Sequence, residues 1–116
     1  MAKKVLLDTS FILSAIRNKI DFLDGIKNLG LIPIISKQVL IEIKGLAKSK
    51  TESELALKIL RKVKIIDLKT KNTDKGIINY AKKNPKLIIA TLDREIKKKI
   101  KNQKLIIRAK KKLEIL

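Results

Sequence analysis

With 116 residues carrying 29 lysines and arginines against 11 aspartates and glutamates, the chain has a formal charge of +18. Its length corresponds to one domain, residues 1–116, and 45% hydrophobic residues suffice for a core, so a disordered polyelectrolyte is excluded. An aromatic content of 3% excludes base stacking on an aromatic platform, and the absence of His and Cys removes histidine and thiolate nucleophiles, disulfides and soft zinc sites. Any metal must be held by oxygen, which selects hard cations such as Mg²⁺, Mn²⁺ or Ca²⁺. No apolar run approaches the roughly 18 residues of a membrane span. The start Met1-Ala2-Lys3-Lys4 leads into a strand-like run rather than a signal peptide, so a cytoplasmic protein without a membrane partner is expected. A charge this large on so small a body suggests a polyanionic partner.

In chain order, short β-branched or Leu runs alternate with helix-period segments, the pattern of a parallel α/β sheet. Five strands are expected, at residues 5–7, 31–35, 64–68, 87–90 and 105–108. Two short helices, residues 10–17 and 20–29, separate the first pair of strands; Phe22, Leu23, Ile26 and Leu29 form a stripe on the second helix, and Gly30 stops it. Ser36 caps a helix carrying Val39, Leu40, Ile43 and Leu46, and Lys48-Ser49-Lys50 reads as a turn. Thr51 and Glu54 suit a capping box for a helix reaching Arg61 with Leu55, Ile59 and Leu60 on its apolar side. Asn72-Thr73 open a helix that ends near Lys83, before Pro85, and a last helix spans residues 93–101. The fold class is a three-layer α/β sandwich with a central, mostly parallel five-stranded sheet flanked by helices.

In so basic a chain, the positions of the acids are informative. Asp8 directly follows the first strand and Asp93 the fourth by two residues, at the carboxyl edge where ligands bind in open α/β sheets. Asp74 precedes Ile77, Ile78 and Ala81 by three, four and seven residues, which places it on their inward helix face; Asp93 relates in the same way to Ile96 and Ile100. Glu42 lies at the margin of its helix's apolar stripe. Helix capping or dipole complementation would explain Asp8, Asp74 and Asp93 one at a time, but not the mid-helix Glu42. Four acids converging without a histidine would repel one another unless cations joined them, so a divalent metal site is expected. Asp67 also ends a strand and serves as a control, expected at the sheet's far edge as a cap or surface acid.

These residues resemble the PIN-domain ribonucleases. VLLDTSFILSAI is similar to the family's first motif, with Asp8 as the first acid and Thr9 and Ser10 as hydroxyl neighbours. IPIISKQVLIEIKGL resembles the second, at Glu42; TDKGIINYAKK the third, at Asp74; and IIATLDREIKKKIK the closing motif, with Asp93 as the fourth acid and Thr91 two residues before it. The ATLDRE segment, the Lys-rich helix and the ending LIIRAKKKLEI look most like archaeal relatives of the small-subunit rRNA-processing endonucleases. Many relatives carry a second acid beside the third motif's Asp, whereas Thr73 and Lys75 flank Asp74.

The resemblance implies a PIN-like fold, often a homodimer, and cleavage of single-stranded or structured RNA. One or two Mg²⁺ or Mn²⁺ ions held by Asp8, Glu42, Asp74 and Asp93 would support hydrolysis of an RNA phosphodiester, with Ser10 and Thr91 orienting waters or a phosphate oxygen. Arg94, Lys97, Lys98, Lys99, Lys101 and Lys104 form the densest basic stretch beside an acid and are the expected RNA contacts; Lys110, Lys111 and Lys112 form another run. The function expected is endonucleolytic rRNA or other RNA processing, with a pre-ribosome as partner. The alternatives are the toxin ribonuclease of a toxin-antitoxin pair, with an antitoxin as partner, and a non-catalytic RNA-binding ribosome-assembly factor.

Overall fold

The computed structural model describes residues 2–116. Val5, Leu6 and Leu7 have no side chain that water can reach, as expected for a strand covered on both faces, and they form β1 (Lys4–Leu7) at the middle of the sheet. The chain continues through α1 (Thr9–Arg17), α2 (Phe22–Asn28), β2 (Ile32–Ser36), α3 (Lys37–Leu46) and α4 (Lys50–Ile59). A 3₁₀ turn (Leu60–Lys62) leads to β3 (Lys64–Ile66), followed by α5 (Thr73–Lys83), β4 (Ile88–Ala90), α6 (Arg94–Lys99), β5 (Lys104–Arg108) and β6 (Lys112–Ile115).

The sheet order is β3-β2-β1-β4-β5-β6, with every pairing parallel except β5 with β6. Leu7 lies opposite Ile35 on one side and Ala90 on the other, so β1, β2 and β4 end level with one another. From β1 the chain first builds outwards to β2 and β3, then returns to the other side of β1 with β4. The strand order therefore reverses between β1 and β4, which opens a crevice at their carboxyl ends. The helices fall into two packed groups: α1, α3 and α4 pack together, and α5 packs on α6. Phe11 and Phe22, both buried, meet edge to face at 6.1 Å between ring centroids and seal α1 against α2.

The three-layer architecture agrees with the sequence pattern, but the sheet has six strands rather than five. The sixth arises because residues 108–112 fold into a tight hairpin in which Ala109 and Lys110 both take positive φ, 52° and 58°. That is the backbone of a type I′ turn, ordinarily marked by Asn-Gly, and its basic residues resemble a solvated tail. Helix α4 also begins earlier than expected. Ser49, rather than Thr51, is its N-cap, accepting from the Glu52 amide at 3.1 Å, while the Glu52 carboxylate accepts from the Lys48 amide and pairs with Arg17 at 2.8 Å. Leu29 and Leu46, expected on apolar stripes, are 43% and 57% exposed because each lies at the fraying end of its helix.

Other local signals hold. Gly30, at φ 73°, closes α2 in a Schellman motif, with Gly30 N–H on Lys27 O and Leu31 N–H on Ile26 O. Ser36 caps α3 through the Val39 amide, and Asn72 caps α5 through the Lys75 amide. No helix among the described residues is long and apolar enough to cross a membrane.

Candidate metal centre

The crevice at the strand-order reversal is built from both of its walls. On one side β1 delivers Asp8, whose amide donates to Ala90 O at 2.9 Å and so ties the end of β1 to the end of β4. On the other side Thr91 continues from β4, fully buried. The Thr91 hydroxyl donates to Asp8 Oδ2 at 2.7 Å and accepts from the Asp93 amide at 3.1 Å. Ser10 adds a second bridge, donating to the same Asp8 oxygen at 3.0 Å and accepting from the Leu92 amide at 3.1 Å. Although Asp8 occupies the N-cap position of α1, its side chain makes no capping bond. Nor do Ser10 and Thr91 cap helices; their hydroxyls hold one carboxylate and fasten the β4–α6 loop to it.

The remaining acids arrive from separate elements. Glu42, half-buried midway along α3, accepts from Thr9 Oγ1 at 2.5 Å through Oε1. Asp93 caps α6, with Oδ1 taking the amides of Glu95 and Ile96 at 2.8 and 3.3 Å. Here capping and membership of the acid group coincide in one residue. Asp74 sits in the first turn of α5 and is exposed, not turned inwards as the helical spacing suggested. Its position at the very start of the helix carries it beyond the packed interface to the mouth of the crevice.

Charge couples these acids across the crevice. Burial pushes the Asp8 carboxyl above its ordinary value, the Thr91 and Ser10 hydroxyls pull it back, and the Glu42 charge raises it further. Asp74 is also raised, first by partial desolvation, then by the charges of Asp93 and Glu42, while Lys99 opposes the rise. Asp8 thus feels Glu42, and Asp74 feels both Glu42 and Asp93. Asp67 behaves as the control should: it follows the edge strand β3, is exposed, and accepts from Gln38 Nε2 at 3.0 Å and the Lys69 amide at 2.8 Å. Those donors and Lys37 hold its carboxyl below the usual range.

Among the described residues, no three acidic side chains close into a ready-made cage. The donor set nevertheless suits a hard cation. Asp8, Glu42 and Asp93 each have one oxygen fixed by side-chain hydroxyl or helix amide donors, and those bonds leave the other oxygen of each carboxylate disengaged. Such half-anchored carboxylates fit Mg²⁺ or Mn²⁺, which take few direct protein oxygens and keep water in the remaining positions.

The basic residues divide. Arg94, Lys98, Lys99 and Lys101 are exposed and Lys97 is half-buried along α6 and just after it. Lys104 instead turns its ammonium onto Ile100 O at 3.2 Å. Lys110, Lys111 and Lys112 line a separate open hollow with Asp21 and Asp24.

The family described as PIN like domain matches residues 5–112. Ribonuclease VapC4 of Methanocaldococcus jannaschii is 30% identical over 125 aligned positions, which cover 97% of this chain and 95% of that protein. Among solved structures, that of the PIN domain endonuclease Utp24 superposes with a TM-score of 0.80 at 25% identity, over 97% of this chain and 92% of that one.

Proposed function

This chain belongs to the PIN-like domain family, and from that premise we propose that it is a divalent-metal-dependent endoribonuclease acting in RNA processing. The observation that carries the reading is the half-anchored acid set at the strand-order reversal, where Asp8, Glu42 and Asp93 are each held through one oxygen by hydroxyl or amide donors and Asp74 lies within the field of Glu42 and Asp93. The ribonuclease and endonuclease named among the similar proteins support it.

Asp8, Glu42, Asp74 and Asp93 are the residues that would hold Mg²⁺ or Mn²⁺. When bound, the cation supplies Lewis acidity and offsets charge building on the scissile phosphate. The chain's own contribution is preorganisation. Thr91 and Ser10 fix Asp8, Thr9 fixes Glu42, and two amides of α6 fix Asp93, so carboxylate orientation is settled before RNA arrives. Hydroxyl donors also offset part of the rise that burial imposes on the Asp8 carboxyl. Four carboxylates repel a phosphodiester, and the exposed lysines of α6 together with the overall charge of +18 supply the countervailing attraction. For the homodimer that the resemblance implies, exposed Ile41, Leu46 and Leu55 on α3 and α4 offer apolar surface, which sedimentation equilibrium of wild type and Ile41→Glu would test.

The experiment is cleavage of end-labelled single-stranded and hairpin RNA with Mg²⁺, Mn²⁺ or EDTA, comparing wild type with Asp8→Asn and Asp93→Asn. Metal-dependent cleavage that both substitutions abolish while RNA binding survives is the expected result. Tight binding without cleavage under either metal would favour an assembly factor.

A further inference from the structure

Behind the acid set, where α5 ends and α6 passes into β5, lies an open pocket of about 440 Å³ lined by Ala81, Lys82, Pro85, Lys99, Lys101 and Asn102. Its floor is rigid. The buried Asn102 Nδ2 lies 3.1, 2.9 and 2.9 Å from the carbonyls of Ala81, Asn84 and Leu87 and shares its two protons among them, pinning the end of α5 and the loop around Pro85 against the start of β4. Its walls are three lysines with no carboxylate among them. Ala81 is fully buried, so the apolar shelf that the lining offers is the exposed Pro85 ring, flanked by Lys82, Lys99 and Lys101.

We propose that this pocket is a nucleotide subsite, holding one base-and-ribose unit of the RNA strand on the shelf and its flanking phosphates on Lys82, Lys99 and Lys101. The proposal rests on the ribonuclease reading and extends it to a second contact remote from the scissile bond. Its volume lies within the range of small-molecule sites. Continuity with the acid set follows from two observations. Lys99 lines the pocket and its charge also reaches Asp74. Asp74 and Lys82 stand at opposite ends of one helix, eight residues or about 12 Å apart along its axis. A strand passing from Asp74 to Pro85 would follow α5, on which Lys75, Lys82 and Lys83 are exposed. The charge pattern favours a polyphosphate, because each wall lysine can meet a separate phosphate while the shelf accepts any base face without reading its edge.

The test is RNA binding by wild-type protein in EDTA, which requires no cleavage, compared with Lys82→Ala/Lys101→Ala and with a charge-matched control, Lys27→Ala/Lys58→Ala, whose lysines are exposed on α2 and α4. The pocket variant should bind an unstructured RNA roughly tenfold more weakly, with its log–log salt slope reduced by about 1.4, two phosphate contacts at about 0.7 each. The control should match wild type, and a 4-thiouridine-substituted RNA should crosslink to the peptide containing Pro85. Equal weakening in both variants would show only the loss of net charge and would overturn the subsite. So would binding of polyglutamate as tight as that of RNA of equal charge, which would mark an acidic-protein surface. Failure of cleavage in metal with the pocket effect intact would sink the nuclease reading alone, whereas cleavage with the pocket variant binding normally would sink the subsite alone.

Discussion

Replacing Thr91 by valine removes one hydroxyl and keeps the side-chain shape. That hydroxyl is fully buried, donates to Asp8 Oδ2 at 2.7 Å and accepts from the Asp93 amide at 3.1 Å. Losing a hydrogen bond to an ionised partner costs about 1.5–3 kcal/mol, and the orphaned Asp93 amide adds up to about 1 kcal/mol because it lies only half-buried. The methyl that replaces the hydroxyl returns at most about 0.8 kcal/mol. The net expectation is a loss of about 1–3 kcal/mol, equivalent to about 4–12 °C in Tm for a chain of this size. Urea unfolding followed by circular dichroism measures it, with Thr91→Ser as the variant that restores the hydroxyl. Because Thr91 lowers the Asp8 pKa, the acid limb of a cleavage–pH profile should also move to higher pH in Thr91→Val and return in Thr91→Ser. A loss below about 0.5 kcal/mol, or a double-mutant cycle with Asp8→Asn showing no coupling, would refute the claim that Thr91 supports Asp8.

The buried Asp8 has a raised pKa in the folded state, so its contribution to stability is present below the ordinary carboxylate range and is lost as pH rises through the raised value. Asp8→Asn should consequently be more stable than wild type at pH 7, with the difference closing towards pH 4 in urea titrations. Mn²⁺ or Mg²⁺ should stabilise wild type by about 2.7 kcal/mol at a hundredfold excess over Kd and leave Asp8→Asn/Asp93→Asn unmoved, read by calorimetry. Two helical glycines should respond oppositely to alanine. A Cβ at Gly76 would stand 2.6 Å from the Thr70 methyl and 3.1 Å from Leu68 Cβ, so Gly76→Ala should lose about 1–3 kcal/mol. Gly45 faces open space, and Gly45→Ala should gain up to about 1 kcal/mol. Paired thermal melts check both.

The parallel sheet was legible because buried central strands must be continuously apolar, and Val5-Leu6-Leu7 and Ile88-Ile89-Ala90 are. The sixth strand was not, since Ala109-Lys110 adopts a left-handed turn that neither residue advertises. Ser49 and Thr51 each precede a Glu by three residues, so spacing alone could not choose between two registers of the α4 cap. For the acids, strand ends and helical spacing located the residues and topology brought them to one crevice. Spacing misjudged the burial of Asp74, because a helix face is defined along the axis but loses its packing partner where the axis ends. The anchoring of Asp8 by two hydroxyls joins positions 83 residues apart in the case of Thr91, a relation that no local pattern contains.

That separation governs the order in which the protein becomes competent. During synthesis β1 emerges early and can pair with β2, but its other neighbour, β4, comes only after β3 and α5. Until β4 docks, Asp8 has neither the Thr91 hydroxyl nor Asp93 beside it. A chain still tethered within the ribosome is surrounded by RNA at close range. The threading of the sheet, with one wall of the crevice supplied by β4 and the turn that follows it, withholds the complete acid set until β4 has been made and has docked beside β1.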